Sequence, residues 1–204
     1  MNRIGLTGGI GSGKSRVAAI MREHSVPVFD CDSEAKKMMS GDADLRGALT
    51  AACGVDFFAK GVPDKRKMAD FLFKSEENAA LVNGVIHPRV VLRFRDWCDE
   101  LESSGCEVCA VESAILFESG LLPHVDMVVV VDAPEALRVE RASMRDSASR
   151  EKILERVRAQ ASQESKLAQA DFVIDNSGDE VHLLAETERL LDFIFSEKNK
   201  HLND

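Results

Sequence analysis

The sequence predicts a three-layer α/β fold: a doubly wound, parallel, five-stranded sheet flanked by helices. Three observations lead there. Short apolar runs alternate with stretches of helical period along most of the chain. The run Met127–Val131 has no polar alternation, as expected of a strand buried on both faces of a parallel sheet. A glycine cluster, Gly8 to Gly13, joins the first apolar run to the first helical stretch.

The elements follow in order. Arg3-Ile4-Gly5-Leu6-Thr7 reads as the first strand, and Lys14 to His24 as a helix with Val17, Ala18 and Met21 on one face. Pro27-Val28-Phe29 is a short second strand ending at Asp30-Cys31-Asp32. Glu107–Val111, Asp126–Asp132 and Asp171–Asp175 are strands three to five. A last helix, Asp179 to Phe195, places Val181, Leu184, Ala185, Leu191, Ile194 and Phe195 on one stripe. Two stretches break the rhythm. Residues 33–102 read as helices only, with turns at Gly41, Gly54 and Gly61-Val62-Pro63, and form a helical insertion in a core of 1–32 and 103–204. Within the insertion Asn83-Gly84 sits in helical context, and Pro88 is expected to kink or end its helix near His87. Residues 138–169, rich in Arg, Ser, Gln and Ala, read as a mobile, solvated helical hairpin.

Composition narrows the function. The 204 residues carry 26 basic and 35 acidic side chains, a formal charge of 26 − 35 = −9. An acidic surface repels a phosphate backbone, which argues against a general nucleic-acid binder, so an anionic ligand must be held by a local basic pocket. The five cysteines, an odd number without a recognisable leader, suggest reduced thiols in a cytoplasm. The apolar run Met127–Val131 is far below the ~20 residues of a membrane span.

Gly8-Gly9-Ile10-Gly11-Ser12-Gly13-Lys14-Ser15 fits G-x-x-x-x-G-K-[ST]. Its glycines let backbone N–H groups converge on phosphate oxygens, helped by the following helix N-terminus. Lys14 can reach β- and γ-phosphates, and the Ser15 hydroxyl can bind Mg²⁺. The plain alternative is a tight strand-to-helix turn without a ligand. An Asn-Lys-x-Asp base-reading motif is absent, and Asp175-Asn176-Ser177-Gly178 matches D-x-x-G too near the C-terminus for a switch. A small kinase needs an acceptor-binding region, a carboxylate near the attacking hydroxyl and cations over the γ-phosphate. The insertion, Asp30 and Asp32, and the arginine-rich hairpin offer all three.

At these residues the chain resembles the dephospho-CoA kinases. The similar features are Ile4 through Ser15, Asp30-Cys31-Asp32, Gly61 with Asp64, His87-Pro88, Leu116-Phe117-Glu118, Arg141 with Arg145-Asp146, Gln160, and Asp171 through Gly178. The resemblance implies ATP-dependent phosphorylation of the ribose 3′-hydroxyl of dephospho-CoA, with a nucleotide-binding P-loop core, a helical acceptor-binding domain at 33–102 and a lid at 138–169. It implies ATP and Mg²⁺, no nucleic-acid or membrane partner, and these roles. Gly11, Ser12, Gly13, Lys14, Ser15 and Arg16 wrap the ATP phosphates. Asp32 is the general base, and Arg141 contacts the transferring phosphoryl group. Asn176 lies beside the adenine, His87 belongs to the acceptor side, and Glu112 holds Mg²⁺ through water, with Ser15. Arg16, Cys31, Lys65 and Ala114 depart from the family's usual Thr, Ala, Arg and Pro. Lys65 cannot make arginine's bidentate contacts.

Plainer readings stand beside these. Asp30 or Asp32 could cap the next helix. Arg138, Arg141, Arg145 and Arg150 could be a solvated face paired with Glu135 and Glu140, and His87 a packed core histidine. Cys106 and Cys109 have C-x-x-C spacing without a second suitable pair. Cys31 is expected to expose its thiol in the cleft. The competing functions are a nucleoside or nucleoside-monophosphate kinase and a non-catalytic nucleotide switch.

Overall fold

The computed structural model describes residues 1–59 and 61–201, with side chains through Ser196. Its contacts divide the chain into two compact units, 1–29 with 104–204, and 30–103.

In the first unit the strands are β1 (Asn2–Thr7), β2 (Val28–Asp30, its last residue opening the second unit), β5 (Val108–Glu112), β6 (Met127–Asp132) and β7 (Phe172–Asp175). They make one five-stranded sheet in the order β2-β5-β1-β6-β7. Pairing of β1 with β5 and β6, and of β6 with β7, is parallel. Every residue of Met127–Val131 is buried, which explains the missing alternation: both faces of β6 are covered. The helices are α1 (Lys14–Glu23), α6 (Glu135–Asp146), α7 (Arg150–Arg158), α8 (Gln163–Leu167) and α9 (Glu180–His201). Ile4, Leu6, Val129 and Val131 pack with Val17, Ala18 and Met21 of α1 and with α9. The α9 stripe is rotated from the sequence expectation. Leu183, Thr187, Leu190, Leu191 and Ile194 are buried, whereas Val181, Leu184, Ala185 and Phe195 are exposed. A threonine joins the inner face because its hydroxyl donates to Leu183 O at 2.8 Å, so its burial strands no polar group.

The stretch 138–169 is three helices, the first beginning upstream at Glu135, and it is not uniformly solvated. Val139, Ala142 and Ile153 form a small buried cluster, and Arg138 is 4% exposed.

The second unit holds α2 (Cys31–Gly41), α3 (Ala43–Cys53), α4 (Lys65–Leu72) and α5 (Glu76–Ser103). It is not purely helical: β3 (Phe58–Ala59) and β4 (Val62–Pro63) form an antiparallel hairpin around Gly61, at φ 81°. The Gly61-Val62-Pro63 turn is thus half of a hairpin, and Arg46 fastens it by donating to Gly61 O at 2.8 Å. Leu45, Leu49, Phe57, Met68 and Val82 are the core, with Phe57 and Phe71 edge-to-face at 5.2 Å. Pro88 does not end its helix; α5 spans 28 residues with the proline inside it. Burial of Val90, Phe94 and Cys98 beyond the proline outweighs the ~3 kcal/mol cost of its missing hydrogen bond.

Candidate active site

The glycine loop leaves β1 at Thr7 and enters α1 at Lys14. Two glycines are dictated by close approach. Gly11 (φ 76°) and Gly13 (φ 99°) take left-handed backbone, and a Cβ would strike the Arg138 carbonyl at one and the Asn176 amide at the other. Lys14 is 9% exposed, and its ammonium donates to Gly8 O at 2.9 Å and Gly9 O at 3.2 Å. Seating the cation on two carbonyls aims it along the loop while meeting its hydrogen-bonding demand. The Ser12 hydroxyl is buried without a protein partner among the described residues.

Ser15 lies in the first turn of α1 and donates to Glu112 Oε1 at 2.6 Å. Glu112 is the last residue of β5, where parallel sheets present ligand-binding groups. A hydroxyl and a carboxylate facing one another make a hard-oxygen pair, a donor set suited to Mg²⁺, which is bound by one or two carboxylates plus substrate phosphates and retained waters. Among the described residues no three His, Cys, Asp or Glu side chains gather around one point.

Asn176 follows β7 and is buried. Its amide donates to Ser12 O at 2.7 Å, and its N–H donates to Asp132 O at 2.7 Å. The neighbouring Asp175 carboxyl is held below the usual carboxylate range, chiefly by the Ser177 hydroxyl and N–H, with His182 adding to it. Arg141 donates to Asn176 O at 2.9 Å and Gly178 O at 3.5 Å, so its guanidinium rests on the loop after β7. The Arg16 side chain turns to Glu180 and Glu23 and is tied there.

Gln163 and Lys166 escaped sequence reasoning, and Arg138, named among the arginines of the hairpin, is buried instead of lying on a solvated face. The Arg138 guanidinium lies against Gly9 and donates to Ala133 O at 2.9 Å. Gln163 accepts the Gly9 N–H at 2.9 Å and donates to Asp132 Oδ1 at 2.8 Å. Lys166 is fully buried, donates to Ala114 O at 3.0 Å, and is held below the ordinary lysine range by burial and Arg138, against the pull of Glu118. A Q-x-x-K pattern on a polar helix carries no signal that these side chains turn inward. Gln160, noted within the family pattern, accepts the Ile10 N–H at 3.2 Å.

On the second unit, Asp30 is the N-cap of α2, accepting Ser33 N–H at 3.0 Å and its hydroxyl at 2.7 Å. Asp32, two residues on, is exposed in the first turn of the same helix, and Cys31 between them is buried. The expectation of a thiol exposed in the cleft is therefore wrong: Cys31 is buried at the start of α2. His87 lies half-buried on α5, before Pro88.

A family model of dephospho-CoA kinase matches residues 2–182, nearly the whole chain. The chain belongs to the dephospho-CoA kinase family. A dephospho-CoA kinase from Bacteroides fragilis is 44% identical over 193 residues, covering 95% of this chain and 93% of that one. One from Corynebacterium glutamicum is 34% identical over 200 residues, covering 98% and 100%. The crystal structure of TT1252 from Thermus thermophilus has a TM-score of 0.77 at 32% identity, covering 96% of this chain and 97% of that one. A shikimate kinase from Bacteroides thetaiotaomicron, at 12% identity and TM-score 0.56, shares the fold, covering 95% and 98%.

Proposed function

We propose that this chain phosphorylates the ribose 3′-hydroxyl of dephospho-CoA with ATP, giving CoA and ADP, the last step of coenzyme A biosynthesis. The observation that carries the reading is the glycine loop, with Lys14 seated on two of its carbonyls, in a chain whose residues 2–182 match the model of this family.

The division of labour follows from chemistry. Backbone N–H groups of Gly11, Ser12, Gly13, Lys14 and Ser15 bind phosphate oxygens, and the start of α1 adds its dipole. Arg16 stands in this turn with its side chain held away by Glu180 and Glu23. Lys14 bridges the β- and γ-phosphates. Asn176, fastened to Ser12 O, forms the wall beside the adenine. Ser15 and Glu112 are the residues that would hold Mg²⁺, and the ion would supply neutralisation of phosphate charge. Asp32 accepts the proton of the attacking hydroxyl. Arg141 exchanges its two carbonyl partners for the transferring phosphoryl group, whose charge spreads over the equatorial oxygens. Residues 33–102 form the acceptor-binding domain and 138–169 contain the lid. The working compartment is the cytoplasm, which suits five free cysteines. Among the described residues no helix is long and apolar enough to cross a membrane.

A coupled ADP-release assay with dephospho-CoA, with AMP and without acceptor tests the reading. Turnover is expected with dephospho-CoA alone. Faster turnover with AMP would make the chain a nucleoside-monophosphate kinase, and acceptor-independent release would make it a nucleotide switch.

A further inference from the structure

A peptide group is planar, so fixing an N–H also fixes the carbonyl of the preceding residue. The Gly9 N–H donates to Gln163 Oε1 at 2.9 Å, and the carbonyl of that same plane, Gly8 O, accepts the Lys14 ammonium at 2.9 Å. The Ile10 N–H donates to Gln160 Oε1 at 3.2 Å. The carbonyl of that second plane, Gly9 O, accepts Lys14 Nζ at 3.2 Å and the Ser12 N–H at 3.1 Å. Two glutamines therefore grip the two peptide planes on which Lys14 sits. Donation by each N–H also strengthens the carbonyl opposite it as an acceptor.

Gln163 is itself held. Its amide nitrogen donates to Asp132 Oδ1 at 2.8 Å and Val131 O at 3.3 Å, at the end of β6. This fixes which end of the amide faces which neighbour: the oxygen must meet the Gly9 N–H and the nitrogen the carboxylate. Arg138, lying against Gly9, blocks displacement of the plane on that side.

We propose that Gln160 and Gln163 are positioning residues for Lys14, acting through the Gly9–Ile10 and Gly8–Gly9 peptides. The proposal rests on the nucleotide-binding part of the function proposed above. Phosphoryl transfer depends almost wholly on positioning and electrostatics, so slack in the two planes translates into a misplaced ammonium. It also assigns residues 160 and 163 to the support of the phosphate loop instead of to a freely moving lid.

The test uses Gln163→Leu, Gln160→Leu, Gln163→Glu, Asp132→Asn, and Gln163→Glu combined with Asp132→Asn. Each is measured for melting temperature, ADP affinity by calorimetry, and kcat and KM for each substrate. Gln163→Leu is expected to lower kcat/KM for ATP on the order of ten- to a hundredfold, the range of a slightly misplaced group, with KM for dephospho-CoA held within a few fold. Gln160→Leu, losing the longer bond, should cost less. Gln163→Glu keeps an acceptor for Gly9 but sets it against the Asp132 carboxylate, so it too should fall. Adding Asp132→Asn returns an amide donor to the pair and should recover most of the loss, which a general loss of stability would not do. The proposal is overturned by wild-type kcat/KM for ATP and ADP affinity in the folded leucine variants, or by a double variant no better than Gln163→Glu. If the wild-type protein fails to turn over dephospho-CoA, the proposed function falls, while ADP affinity across the same variants still decides this relay.

Discussion

Two corners of the molecule join a strand to a helix, and they are held in opposite ways. At the β1–α1 corner, Gln163, Gln160 and Asn176 reach the glycine loop from 154, 150 and 164 residues away. At the β2–α2 corner, Asp30 is bonded to Ser33, three residues on, and Asp32 projects outward from the first turn. The first corner is preorganised by side chains drawn from far along the chain; the second carries a cap closed within three residues, with an acid beside it. Substitutions at the first should therefore spread through its network. Substitutions at the second should separate cleanly into capping and chemistry.

The sharpest break is Lys14→Met, which keeps the aliphatic stem and removes the ammonium. Charge-assisted hydrogen bonds are each worth about 1.5–3 kcal/mol, and this cation also meets the charge that develops during transfer. Turnover should vanish while circular dichroism and melting stay close to wild type. Full activity in the folded variant would remove the loop from the chemistry.

Next in size is the pair of aspartates. Asp32→Asn preserves shape but cannot accept a proton, so kcat should fall about 10²–10⁴-fold with KM for dephospho-CoA within a few fold. Asp30→Asn substitutes one favoured N-cap for another and should change little. Steady-state kinetics on both variants decides it; a larger loss at Asp30 would move the base by two residues.

The same contrast governs what could be read in advance. The glycine spacing, the fully apolar β6 and the Val17, Ala18, Met21 face are local patterns, and each marks its element because the physics behind it acts within a few residues. The Asp30 cap belongs to that class too, since N-cap and Ser33 are three apart. Pro88 does not terminate α5 because tertiary burial along that helix overrides a local rule, and the α9 stripe is rotated because a threonine can bury its hydroxyl on a carbonyl. Gln163 and Lys166 were silent for the converse reason. Their partners lie at Gly9 and Ala114, far along the chain, and nothing nearby distinguishes an inward side chain from a solvated one.

Arg141 tests how far the first corner's network extends toward the chemistry. With its guanidinium on Asn176 O and Gly178 O, Arg141→Ala removes both a brace of the loop after β7 and the proposed phosphoryl contact. A cation supplied to the transition state should cost kcat on the order of a hundredfold or more. If KM for ATP alone rises, Arg141 only braces the nucleotide site.

The smallest expected effect lies at the α6–α7 turn, where a local cluster occurs inside the long-range unit. Asp146 accepts from its neighbour Arg145 at 2.7 Å and from Arg156 of α7 at 2.7 Å. The Arg145 guanidinium first, and Arg156 with it, hold the Asp146 carboxyl below the usual aspartate range. A carboxyl depressed in the folded state contributes stability above its unfolded pKa, about 3.9, and loses it as pH falls through the lower folded value. The groups are partly solvated, so the cluster should be worth no more than about 1 kcal/mol. Asp146→Asn should lower the melting temperature by a few degrees at most at pH 7. The gap between wild type and variant should begin to narrow below about pH 4 and close only once the pH has fallen through the depressed folded value, where both side chains are uncharged. Melting curves of the two proteins from pH 7 down to about pH 2 check this. A gap that persists undiminished at the acid end would mean that Asp146 acts through hydrogen-bond shape and not through charge.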